Sequence, residues 1–146
     1  MTTIQRKQAI SIFLAVGCLL VGSTLYVLFR STSLLMFHWA DSVGLIGSIG
    51  TMRSWVDGFA TYLPIWVVYS LPFALWVSSY LFFIKGIWRN STSLAHHVWF
   101  WCIPIIAIAA ELAQSMHIIP GSFDLGDLIA LIFATILGFL QLSSIN

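Results

Sequence analysis

Apolar residues fall into four long blocks separated by short polar stretches. Each block is about 20 residues, the length that carries an α-helix across a bilayer. The blocks cover residues 9–29, 71–88, 98–116 and 125–142. Pro64 and Pro72 crowd the start of the second block, so its helix is expected to begin near Leu71. Ser91, Thr92 and Ser93 precede the third, and any of them suits a helix N-cap. Asp124 stands where the N-cap of the fourth helix belongs, with Asp127 at its third helical position. Both carboxylates would then meet the positive end of a helix dipole, and capping alone is one explanation for them. The pattern predicts an all-α fold: a four-helix integral membrane bundle, with residues 1–146 forming a single transmembrane domain.

The segment between the first two blocks has a period of its own. Within 51–63, Met52, Trp55, Val56, Phe59, Tyr62 and Leu63 share one helical face, and Arg53 and Asp57 oppose them. The expectation is an amphipathic helix in the first outer loop, lying in the membrane interface or packed across the bundle mouth. Trp76 and Trp88 are candidate interfacial anchors of the second span. Small residues recur on the last span, at Ala130, Ala134 and Gly138, and on the first, at Ser11, Ala15, Cys18 and Gly22. Such spacing lets helix backbones approach closely, either inside the bundle or between copies of the chain.

Composition makes lipid the solvent. Hydrophobic residues are 60% of the chain and charged residues 8%, against about 25% charged in a soluble domain. A net charge of +1 supplies no basic patch, so nucleic acid is not an expected partner. Arg6 and Lys7 ahead of the first block resemble the start of a signal peptide. The block, however, exceeds the usual signal core of about 7–15 residues and no A-x-A site follows, so it reads as a retained helix. Placing the N terminus inside puts Arg6, Lys7, Lys85 and Arg89 in the cytoplasm and leaves Arg30 and Arg53 outside. All five acidic residues (Asp41, Asp57, Glu111, Asp124 and Asp127) then lie in the outer half, with His38 and His117, and both termini are cytoplasmic.

Candidate chemistry concentrates in one stretch. Glu111 sits near the end of the third block, where a buried charge costs at least a few kcal/mol and marks a functional candidate. Gln114, three residues on, shares its helical face. Pro120-Gly121 and the Asp124/Asp127 pair follow. We expect an outer-facing acidic pocket with Glu111 and Gln114 as its floor and Asp124 and Asp127 as its rim. His117 lies beside it, and Arg30 and Arg53 are the available cations. Glu111 suits general acid/base work or, more simply, a structural hydrogen bond. No metal is expected: no two histidines have ligand spacing, and adjacent His96 and His97 would point about 100° apart on a helix. Cys18 and Cys102 fall within apolar helices and read as packing residues. No nucleophile motif of the G-x-S-x-G kind is present, the Asn90-Ser-Thr sequon falls in an inner loop, and no cofactor is called for.

From Glu111 onward the chain resembles the VanZ-like family of small bacterial membrane proteins. In that pattern a glutamate and a glutamine end one transmembrane helix, an arginine-bearing loop follows, and an aspartate pair opens the next helix, which carries an asparagine and then glycines. Glu111, Gln114, Asp124, Asp127 and Gly138 match, and Ala134 replaces a glycine. Gly121 stands in place of the loop arginine and Leu131 in place of the asparagine. The resemblance implies a role in the bacterial envelope, in the inner membrane; the founding members are associated with resistance to lipoglycopeptide antibiotics. The absent arginine removes the natural counter-ion of Glu111 or of an anionic headgroup.

Two functions fit these observations. The chain is expected to be a non-enzymatic multi-pass protein that engages a membrane lipid, a lipid-linked molecule or a membrane-embedded partner through the acidic pocket. The alternative is a membrane subunit of an oligomeric sensor, channel or effector in defence or stress response, acting as a homo-oligomer or through a partner protein. An intramembrane enzyme would need a nucleophile or metal constellation that the sequence does not offer.

Overall fold

A computed structural model describes residues 3–88, 91 and 93–143, and all regular elements among them are helices. In chain order they are α1 (Thr3–Phe29), α2 (Leu35–Ser42), α3 (Ile46–Ala60), α4 (Ile65–Tyr69), α5 (Leu71–Ile87), α6 (Leu94–Ser115) and α7 (Leu125–Ser143). Among the described residues two stretches, Ile4–Phe29 and Leu94–Ser115, are long and apolar enough to cross a membrane, while Leu71–Ile87 and Leu125–Leu140 are shorter apolar stretches. Only 11% of the apolar window of each long helix is buried. A soluble core helix would bury most of such a surface, so this exposed apolar surface suggests membrane association.

Helix α5 is central. It packs against α1 on one side and against α6 and α7 on the other. Val77, Leu81 and Ile84 of α5 form the core with Phe100 of α6 and with Leu131 and Ala134 of α7. The small-residue faces of α1 and α7 are turned to α5. A Cβ on Gly138 would come within 2.5 Å of Leu81 Cδ1, and one on Gly22 within 3.1 Å of Leu75 and Trp76. Ala15 is buried, and its carbonyl accepts a hydrogen bond from Ser79 Oγ at 2.7 Å. Ala130, at the upper end of the α7 stripe, is partly buried. These stripes therefore serve packing inside the chain, where absent side chains permit close backbone approach.

The helix boundaries follow local chemistry. Ser93 caps α6, its Oγ accepting from the His96 backbone N–H at 3.2 Å, so that helix begins a turn earlier than hydropathy alone suggests. Helix α5 starts at Leu71 because Pro72 occupies its first turn, a position that tolerates the missing N–H. The short α4 before it is separated only by Ser70.

Several expectations change. The amphipathic segment expected over 51–63 falls in α3, which begins at Ile46 rather than Thr51, and a further helix, α2, precedes it. Ile46, Ile49, Arg53 and Val56 form the partly buried side of α3, whereas Trp55 is 76% exposed, with Met52 and Phe59 also outward. Of the apolar face predicted from periodicity, Val56 and Leu63 are partly buried, while Met52, Trp55, Phe59 and Tyr62 are exposed. Trp76 is tied into the helix packing: its Nε1–H donates to Ser23 Oγ at 3.3 Å and its ring packs on Tyr26 and Phe73. Trp88 packs against the core. Lys85, placed above on the cytoplasmic side, is only 5% exposed within α5. Arg89 and Asn90 lie outside the described residues.

The contrast between two glycines tests this packing. Gly138→Val should cost about 1–3 kcal/mol through overpacking against Leu81. Gly17→Ala has nothing within 4 Å of the added carbon, and should be neutral or stabilise by about 0.5–1 kcal/mol. Thermal unfolding of the detergent-solubilised variants, followed by circular dichroism, should order them Gly138→Val, wild type, Gly17→Ala.

Candidate functional site

The ends of α1 and α6 meet the beginnings of α5 and α7 around a cavity of about 340 Å³. Arg30, just beyond α1, lines it together with Tyr69 and Phe73, Glu111 and Gln114, Gly121, Asp124 and Asp127. Five of the seven candidate pocket residues are therefore brought together. The other two, Arg53 and His117, take different roles.

Arg53 reaches from α3 to the end of α1. Its Nη1 donates to the carbonyls of Val27 and Arg30, each at 2.8 Å, and its guanidinium lies over the buried Phe37 ring. The last carbonyls of a helix have no partner within it, so Arg53 supplies one and fixes the backbone at Arg30. The Arg30 guanidinium lies 4.6 Å from the Tyr69 ring centroid, with the Tyr26 and Phe73 rings a little farther off. This aromatic setting holds a cation beside the acidic residues, and Arg30 attracts the Asp127 carboxylate.

His117 ends α6. It has a left-handed φ of 57°, its N–H donates to the Gln114 carbonyl at 3.0 Å, and the next N–H, of Ile118, reaches back to Ala113 at 2.9 Å. That pair of bonds is a Schellman turn, with histidine at the position usually held by glycine. The side chain is exposed and outside the cavity. The turn starts the loop that returns over the end of α6. There Gly121, with φ 141°, lies so close to Gln114 that a Cβ would sit 2.7 Å from its amide. An arginine at this position would meet both a backbone conformation unsuited to it and the Gln114 side chain.

Asp124 and Asp127 divide their work. Asp124 is the cap: its Oδ1 accepts from the Gly126 N–H at 2.7 Å. Its own backbone N–H hydrogen-bonds the Glu111 carboxylate across the loop. Asp127 is 8% exposed and hydrogen-bonds the Ser70 side chain. Gly126 lets Ser70 approach, since a Cβ there would stand 3.0 Å from the Ser70 hydroxyl. Capping thus accounts for Asp124 and leaves Asp127 facing the cavity. Glu111 Oε2, Asp127 Oδ1 and Arg30 Nε are each buried without a hydrogen-bond partner. A buried unpaired polar atom costs about 1–3 kcal/mol, more when charged, so three around one cavity ask for an explanation.

Ser70, Tyr69 and Phe73 were not anticipated. The signal for them is the Pro64/Pro72 pair, which forces a helix break and sets Ser70 at the junction. Among the described residues, no three of His, Cys, Asp and Glu are grouped to hold a metal ion, and Cys18 and Cys102 are both free thiols. Comparison with protein-family models, with curated proteins and with solved structures yields no match.

The loop makes opposite demands at two positions. His117→Gly should stabilise the fold by about 0.5–1 kcal/mol by relieving the left-handed residue. Gly121→Ala should destabilise it by about 1–3 kcal/mol, combining an unsuitable φ with displacement of Gln114. Differential scanning fluorimetry of both in one detergent gives the two signs directly.

Proposed function

We propose that this is a non-enzymatic multi-pass protein of the bacterial inner membrane that engages a lipid-linked or membrane-embedded partner through an outer-facing polar pocket. In this reading α1, α5, α6 and α7 span the bilayer in alternating directions, with both termini cytoplasmic. Helix α3 lies at the outer interface with Trp55 and Phe59 toward lipid. The observation that carries the reading is the single cavity at which Arg30, Glu111 and Asp127 converge, each with a buried polar atom left unpaired. A structural role alone would have paired those atoms with one another or with backbone.

VanZ-like membership belongs to this proposal and rests on the run from Glu111 to Gly138. The departure at Gly121 weighs less once Arg30 is placed in the cavity. A cation from α1 stands beside the acids, where the loop of this chain has none. The oligomeric alternative drew its support from the small-residue stripes of α1 and α7, which are occupied by α5 within the chain. No other observation favours it.

Native mass spectrometry of the protein extracted from its host membrane in mild detergent tests the proposal. The expected result is a monomer or dimer that retains lipid, with retention lowered in Glu111→Gln. A discrete higher oligomer, or a stoichiometric soluble partner with no bound lipid, would sink the pocket reading.

A further inference from the structure

We infer that the pocket selects a headgroup pairing a primary ammonium with a phosphate, as in phosphoethanolamine; this rests on the lipid-engaging reading proposed above.

The groups that lack partners set what a ligand must carry. Two of the unpaired buried atoms, Glu111 Oε2 and Asp127 Oδ1, are carboxylate oxygens that need N–H or O–H donors. The third, Arg30 Nε, is a donor that needs an acceptor. A ligand that satisfies all three must carry donor and acceptor together. Three carboxyl groups (Glu111, Asp124 and Asp127) face one guanidinium (Arg30) in the lining, so the pocket favours a cation over an anion.

The kind of cation follows from the walls. A bare metal ion would need ligands converging on one point, and the carboxylates are not so grouped. They are spread around a cavity of about 340 Å³, room enough for an organic headgroup. A quaternary ammonium is usually held by free aromatic faces, but Tyr69 and Phe73 already stack on Arg30. It also has no N–H to offer the carboxylates. A primary ammonium offers three donors. A phosphate attached to it answers Arg30, for which a planar guanidinium is well shaped. Small rotations of the Glu111 and Asp127 carboxyl groups turn their unpaired oxygens toward the bound amine. Asp124 stays engaged with Gly126 as the helix cap and contributes field rather than a contact.

The same headgroup chemistry occurs in a phospholipid and in a free solute, and one experiment separates them. The full-length protein in detergent is mixed with equimolar phosphatidylethanolamine, its mono- and dimethyl derivatives, phosphatidylcholine and phosphatidylglycerol, all with identical acyl chains, and retention is read by native mass spectrometry. Retention should fall stepwise as N–H donors are replaced by methyl groups, with phosphatidylethanolamine favoured over phosphatidylcholine about tenfold, the worth of one charge-assisted hydrogen bond. Glu111→Gln and Asp127→Asn should each flatten that series. The graded series needs only the wild-type protein, so it decides the matter even if a variant does not fold. Displacement of the lipid by millimolar O-phosphoethanolamine would support a soluble source, and retention despite it would support the lipid. Equal retention across the methylation series, or preference for phosphatidylglycerol, overturns the inference while leaving the lipid-engaging reading standing. Loss of all lipid in favour of an oligomer or protein partner overturns both.

Discussion

Every helix that ends in apolar surroundings leaves amides and carbonyls that water cannot reach, and each must find a partner within the protein. Four helix termini meet at one end of this bundle, and their capping builds the site. Arg53 closes α1 through the Val27 and Arg30 carbonyls. A Schellman turn through His117 closes α6, and Asp124 opens α7. At the start of α5, Pro72 has no N–H to satisfy. Once these demands are met, the residues left over are Arg30, Glu111, Gln114 and Asp127. They face a cavity because the groups around them are already spent on backbone.

That division of labour explains why charge is distributed as it is. Arg53 and Asp124 are charged side chains whose geometry is fully explained by capping, and either could have been mistaken for a ligand-binding group. Arg30 and Asp127 make no cap. Arg30 is held by aromatic rings and Asp127 by Ser70, and each lines the cavity while keeping one buried atom unpaired. An ionisable residue at membrane depth is costly. Arg30, Asp127 and Glu111 each keep one buried polar atom without a partner, which is the ground for proposing that something else completes the site.

The four long apolar helices were legible in the sequence because their signal is long-range and redundant: about twenty apolar residues tolerate any single exception. The acidic half of the site was legible for the opposite reason, since Glu111, Gln114, Asp124 and Asp127 lie close together along an otherwise apolar chain. Residues whose role depends on a distant partner were not legible. Ser70 reads as an unremarkable hydroxyl until Gly126 admits it to Asp127. Arg53 was read as the polar side of an amphipathic helix, although its long side chain spans from α3 to the end of α1. Trp76 looks like an interfacial anchor from its position, but Ser23 and Tyr26 hold it inside. Periodicity reports that α3 has an apolar face and is silent on which face packs. In lipid, unlike water, an apolar face can be the outer one.

The pocket and the packing of the spans are one problem. Its cation is carried by the end of α1 and its acids by α6 and α7, and α5 lies between them in contact with all three. The spacing of α1 and α7 is set by side chains that are absent, at Gly22 against Leu75 and Trp76 and at Gly138 against Leu81. Those contacts let α1 and α7 come close to α5, the helix that touches both the element carrying the cation and the one carrying Asp127. A chain of this size has few buried hydrophobic residues with which to enforce such geometry, and close backbone approach does so without a large core.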